Sequence, residues 1–361
     1  MKRVVLTSQL SPDEPRASHD RRSSRSVIAA CVLAVTALVS LFAAIVTGPA
    51  DISPMEVMGS LWGHLTGGIP AMSPLRDAII WEGRVPRVLT AAAVGGGLAL
   101  CGAVMQALTR NPLADPYLLG LSSGASLGAV IVIVLGVSVA LPVAAFMGAL
   151  LALLFTMTLA KGAGALSQAS VVLAGLAVSS AFAALTSLVI FWSATGDSYR
   201  EILSWLLGSL GGADWSDVAV AMVAVVVCAV PLLGGSRSLD GLLLGDTAAE
   251  ALGIAVVRTR SMLFACVALL TGALVAVSGS IGFIGLIVPH AVRLVAGGTH
   301  RALLPLSFLV GSIFLVWADT LARVMFEPRE LPVGIVTSLI GGPIFAVLLL
   351  RMSRGRRASG F

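Results

Sequence analysis

Ten apolar stretches recur along this 361-residue chain, and no other feature constrains its fold so strongly. They lie at Val27–Val46, Val88–Leu108, Leu118–Val137, Leu141–Ala160, Ser170–Trp192, Val218–Gly234, Met262–Ser280, Ile281–Ala296, Leu303–Ala322 and Pro332–Leu350. A hydrocarbon core about 30 Å thick is crossed by about 20 apolar residues in a helix, because lipid offers no partner to an unpaired peptide group. The chain therefore reads as an all-α polytopic membrane protein with about ten transmembrane helices. Composition agrees: 57% of residues are apolar and 11% charged, against roughly 45–50% and 25% in a soluble domain. Ile281–Ala296 is short and interrupted by Pro289-His290, so a broken or short helix packed inside protein is expected there.

Basic residues orient the bundle. With the N-terminus inside, 17 of the 23 Lys and Arg residues fall on the cytoplasmic side, which sets N-in and C-in. Residues 1–26 form a basic cytoplasmic tail, 27–351 one transmembrane domain, and 352–361 a second tail. The first apolar run exceeds a signal h-region, despite Arg21-Arg22 before it, and reads as an uncleaved helix. Two outer loops are expected, Thr47–Arg87 and Ser193–Asp217, the second with an amphipathic stretch at Tyr199–Leu210. Gly120, Gly124 and Gly128, four apart, predict one helical face for close packing.

Several function classes drop out. The net charge of +5 marks cytoplasmic loops rather than nucleic-acid binding, since clustered basic residues with interleaved aromatics are lacking. Cys31, Cys101, Cys228 and Cys266 share no metal-ligand spacing, and His64 and His290 lack partner ligands nearby, so no metal site is assigned. No nucleophile–base pair or carboxylate pair points to catalysis. Ion-coupled carriers place ionisable residues within their spans. Here Asp115, His290, Arg293 and Asp319 all lie near predicted span ends. A phosphate-binding loop needs Gly-Lys-Ser/Thr, yet the only lysines, Lys2 and Lys161, do not follow glycine. If ATP supplies the energy, another subunit hydrolyses it and must grip an inner loop. The longest such loop is 235–260, where Thr247–Leu252 has the period of a short helix with Asp246 and Glu250 available for polar contacts. Taken alone, that helix fits an interfacial segment without a partner equally well.

Five segments together change that balance: Arg84-Val-Pro-Arg87, Asn111-Pro-Leu-Ala-Asp-Pro116, Leu244-Gly-Asp-Thr-Ala-Ala-Glu-Ala-Leu-Gly253, Gly279 to His290, and Glu330 to Thr337. In order and spacing, from Trp81 to Arg351, they resemble the FecCD-type permeases of type II ABC importers for iron–siderophore, haem and cobalamin. The resemblance implies a ten-span subunit of the bacterial cytoplasmic membrane, paired with a second copy or a paralogue about a central pathway. It further implies ATP-binding subunits below, which bind the ATP so that this chain needs no cofactor, and a substrate-binding protein above. By the same resemblance Arg84, Arg87 and Arg323 dock that binding protein through its glutamates. Leu244, Gly245, Asp246, Thr247, Ala248, Ala249, Glu250, Leu252 and Gly253 couple to the ATPase. Leu113, Ser167 and Gln168 form a cytoplasmic gate, Gln168 departing from the small residues usual there. Ferric siderophore is the leading cargo, with haem or cobalamin as alternatives; an ion-coupled secondary transporter is the rival of another class.

Overall fold

The computed structural model describes residues 14–68, 70, 72–137, 141–162, 168–193, 196–326 and 329–358; among them there are helices and no strands. Helix α1 (Glu14–Val46) leads to a short outer helix α2 (Pro54–Thr66), then α3 (Pro74–Ala78), a π-helical turn (Ile79–Arg84) and α4 (Val85–Leu108). A 3₁₀ turn (Pro116–Leu119) opens α5 (Leu121–Val134), followed by α6 (Leu141–Gly162), α7 (Gln168–Ser193), α8 (Gly196–Leu206) and α9 (Trp215–Gly234). Two short inner helices, α10 (Ser236–Leu243) and α11 (Asp246–Ala251), precede α12 (Val256–Ser278), α13 (Ile284–Ala296), α14 (His300–Val324) and α15 (Val333–Ala358). Among the described residues eight segments are long and apolar enough to cross a membrane, and α5 and α13 are two shorter apolar helices, which together give the ten expected.

The second span starts earlier than its hydropathy indicates. Pro74–Leu108 is one continuous helical run, so Arg84 and Arg87 sit within it rather than in a loop before it. The π turn inserts one extra residue, and the Val85 N–H closes onto the Ile80 carbonyl. Likewise Thr47–Arg87 is largely helical, because Ser53 caps α2 in a reciprocal box with Glu56 and Ser73 caps α3. The amphipathic stretch becomes α8.

Helix α4 is the axis of the bundle. It is buried almost along its whole length against α14, α13, α12 and α9. Small residues permit this: a Cβ at Gly95 would collide with the Gly311 carbonyl of α14. Without water to drive helices together, such close backbone approach supplies the packing attraction. The α5–α6 pair uses the same device, with Gly124 against Gly148 and Gly128 against Ala144. Gly120 does not share that face. It ends the 3₁₀ turn at φ 80°, a left-handed conformation that glycine adopts without strain, so the expected three-glycine stripe is a pair plus a cap.

The break between α12 and α13 is enclosed by protein. Gly279 and Phe283 both take positive φ, 66° and 70°, and the peptide groups between them are met from three directions. The Tyr117 hydroxyl donates to the Ile281 carbonyl at 2.9 Å and accepts from the Ile281 N–H at 3.2 Å. Ser122 and Ser280 hydroxyls bond at 2.8 Å, and the Ser209 N–H donates to the Ser278 carbonyl at 2.9 Å. Non-helical backbone at membrane depth persists only when satisfied in this way.

Candidate functional site

Two polar clusters join elements at opposite ends of α4. At the outer end, Arg87 makes a two-pronged ion pair with Asp319 of α14, Nε to Oδ2 at 2.8 Å and Nη2 to Oδ1 at 3.0 Å. Its remaining Nη1 reaches Glu330 at 2.6 Å, so one planar guanidinium ties α4, α14 and the segment before α15. Arg84, three residues earlier, caps another helix altogether. Its Nη1 donates to the Ile45 and Val46 carbonyls and its Nη2 to Ala50, satisfying the C-terminal end of α1 where a positive charge is also favoured. Gly48 makes room, since a Cβ there would lie 2.7 Å from Arg84 Nη2. Arg323, one turn after Asp319, donates Nη2 to the Ala44 carbonyl at 2.7 Å, while its Nε and Nη1 are buried without a partner.

All three arginines lie at the outer end, as their sequence positions indicate, but they are only 5%, 7% and 3% exposed for Arg84, Arg87 and Arg323. That differs from free guanidiniums turned toward a partner. The reason is long range: Asp319 and the end of α1 are far away in sequence, and a desolvated guanidinium must be met by whatever carboxylates and carbonyls the fold brings. Asp319 and Glu330, the partners sequence reasoning missed, carry no local signal for this pairing.

At the inner end, α10 and α11 stand below α4 and α12. Ala249 is buried and seats α11 against the bundle, while Thr247 and Glu250 are exposed and Ala248 is half-buried. Gly245 and Gly253 bracket the helix at φ 108° and 79°, backbone that other residues adopt only with strain. The apolar side chains flanking it turn outward: Leu244 is 68% and Leu252 64% exposed. Asp246, at the first turn of α11, accepts from Arg110 and from both terminal nitrogens of Arg260, at 3.1 and 2.7 Å. Bonding to Arg260, with the charge of Arg110 added, holds the Asp246 carboxyl below its usual range.

Arg110 repays a closer look. The Arg110 N–H bonds the Ala107 carbonyl and the Asn111 N–H bonds the Gln106 carbonyl, the two-bond closure that commonly ends a helix. Glycine is usual at this position, yet Arg110 occupies it at φ 47°. The left-handed conformation costs a non-glycine residue roughly 1–2 kcal/mol. In return the side chain donates Nε to the Leu242 carbonyl of α10 at 2.9 Å and bonds Asp246. A strained residue thus links the end of α4 to both inner helices.

The remaining sequence candidates are less gathered. Leu113 is half-buried in the turn after α4, its N–H bonded to the Asn111 side chain at 3.0 Å. Gln168 opens α7, and Ser167 lies outside the described residues. His290 sits within α13 with Nδ1 unpartnered.

The sequence pattern of the FecCD transport family matches residues 35–351. The cobalamin import system permease protein BtuC of Halobacterium salinarum is 43% identical over 325 residues, covering 88% of this chain and 86% of that one. The hemin transport system permease protein HmuU of Yersinia pestis is 44% identical over 283 residues, with coverage of 76% and 83%. A solved chain described as an inward-facing conformation of a metal-chelate type ABC transporter superposes with a TM-score of 0.78 at 32% identity, over 89% of this chain and 98% of that one. With its ten apolar helices, its enclosed helix break and its two inner helices matched along nearly the whole length, the chain belongs to the FecCD transport family of type II ABC importer permeases.

Proposed function

We propose that the chain carries a ferric siderophore inward across the bacterial cytoplasmic membrane, driven by separate ATP-binding subunits. The observation that carries the coupling part is the inner surface of α10 and α11. Leu244 and Leu252 present apolar side chains on the side where basic loops mark water rather than lipid. Exposed leucines flanking a short helix are a contact surface for a partner protein. A push on that helix would pass through Asp246 to Arg110 at the foot of α4 and to Arg260 at the foot of α12, tilting spans against one another.

At the outer end, a substrate-binding protein docks over the arginine cluster. Arg84, Arg87 and Arg323 outnumber Asp319 and Glu330 by one positive charge, and Arg323 keeps two donors unspent. Because those donors are buried, as are Arg84 and Arg87, docking through the three arginines requires the outer end to open and expose them. Leu113, Ser167 and Gln168 form the cytoplasmic gate of a pathway shared with a second permease, a copy or a paralogue.

Haem and cobalamin are the second reading, because relatives of comparable identity are named for each. Uptake of labelled ferric siderophore, haem and cobalamin by cells with and without the gene, under iron limitation, decides between them. Loss of siderophore uptake alone, restored by the intact gene, is the expected result. Loss of haem or cobalamin uptake instead would replace the cargo and leave the coupling reading in place.

A further inference from the structure

On the membrane-facing side of the bundle, α6 and α12 leave an apolar slot of about 180 Å³ near their inner ends. Leu153 and Met157 of α6 and Phe264 and Ala265 of α12 form its floor; Lys161, Arg260 and Ser261 stand toward its inner end, where Val257 also lines it. Lys161 is eight residues beyond Leu153, so the cations lie about 12 Å along the helix from the far apolar end. Leu154, the next residue on α6 after Leu153, is an exposed apolar side chain suited to hydrocarbon. Among the described residues Lys161 has no carboxylate partner. Arg260 gives its terminal nitrogens to Asp246 but keeps a buried Nε with no acceptor.

We propose that this slot binds one anionic phospholipid of the inner leaflet. The acyl chain lies along Leu153, Met157, Phe264 and Ala265, and the phosphodiester is received by the Lys161 ammonium and the Ser261 hydroxyl, with the positive charge of Arg260 beside them. Two features fix this occupant. The order of chemistry, apolar for two turns and then cationic, is that of a lipid entering from its tail side. The cations also sit on the side where basic loops place the cytoplasmic leaflet, whose anionic lipids attract Lys and Arg by about 1 kcal/mol each. Because Arg260 also holds Asp246, the bound headgroup would buttress the residue that links α12 to the inner helices. The site requires only that the chain cross a membrane with its basic loops inside, and is independent of the cargo.

The test is native mass spectrometry of the full-length chain released from bilayers of phosphatidylcholine with a minor fraction of phosphatidylglycerol. Wild type should retain phosphatidylglycerol in preference to phosphatidylcholine. Lys161→Gln should lower that retention about fivefold, Ala265→Trp should block it by filling the floor, and Arg258→Gln, outside the slot, should leave it unchanged. Equal retention of the two lipids by wild type, or full retention by both Lys161→Gln and Ala265→Trp, would overturn the proposal. Displacement of the lipid by inorganic phosphate would also overturn it, since it would make the cations a free-anion site. Arg260→Gln is a secondary variant, because loss of the Asp246 contact alters the inner loop as well.

Discussion

Both ends of α4 carry arginine–carboxylate clusters, built under opposite conditions. At the outer end Arg87 and Asp319 meet in a nearly dry site, their side chains 8% and 2% exposed. At the inner end Asp246 is 47% exposed and is shared by Arg110 and Arg260. A buried pair resists separation, because each partner alone would be a desolvated charge. An exposed pair separates at little cost, since water replaces the lost contact. The outer cluster therefore fixes α4 to α14 and α1, whereas the inner cluster links α4 and α12 to α11 in a joint that can move. A transporter needs that asymmetry if a force applied at one end is to tilt helices without unpacking them.

The largest expected effect breaks the outer end. Asp319→Asn should destabilise the chain by about 3–5 kcal/mol, read as a lower midpoint in thermal unfolding of the purified protein, because Arg87 loses its buried counter-charge. Asp246→Asn should cost less than about 1 kcal/mol in the same measurement. Similar costs for the two would remove the distinction between anchored and movable ends.

Next comes the coupling surface. Ala248→Trp, at a half-buried position of α11, should abolish ATP-dependent uptake while the unfolding midpoint stays near that of wild type. Full uptake by a stably inserted variant would reject α11 as the point of contact. Ala249 is a poorer place to test, since it is buried and a larger side chain there would overpack the seat of the helix.

Arg110→Gly sharpens the comparison further. Glycine relieves the left-handed strain at φ 47° and so should leave stability unchanged or raise it by up to about 1 kcal/mol. The same change removes the bonds to Leu242 and Asp246, so uptake should fall severalfold. A clear loss of stability instead would mean that Arg110 is an anchor, as Arg87 is.

The smallest effect concerns pH. The Asp246 carboxyl is held below its ordinary value of 3.8, so its contribution is fully present above that value and is lost only as pH falls through the lower folded-state value. Lowering the pH from about 8 to about 5 should leave the inner clamp, and coupling through it, unchanged. A decline in coupling over that interval, cancelled in Asp246→Asn, would contradict the assignment.

How legible all this is from sequence depends on the range of the interaction. The ten spans follow from local composition, and the expected short helix appears as α13, although Pro289-His290 lies within it and the break falls before it, between Gly279 and Phe283. The α11 helix was visible through its period and its bracketing glycines. The outer start of the second span was not, because polar residues such as Arg76, Asp77 and Glu82 lower hydropathy while capping and a π turn keep the backbone helical. The three outer arginines were picked out by the family resemblance, but whether their side chains face outward or inward has no local signature.

The sequence by itself determined that the chain crosses a membrane about ten times, which way it faces, and which family it joins. Those properties reside in hydropathy, charge asymmetry and short motifs, each a sum over neighbouring residues. Only the tertiary structure decided that Arg87 closes on Asp319, that Arg84 caps α1, and that Arg110 accepts strain to reach Asp246. Such pairings join residues up to 232 positions apart. At the outer end they form because helix packing has already excluded water, and a desolvated charge must then bond to whatever the packing has brought beside it; at the inner end the fold merely brings α11 to the foot of α4.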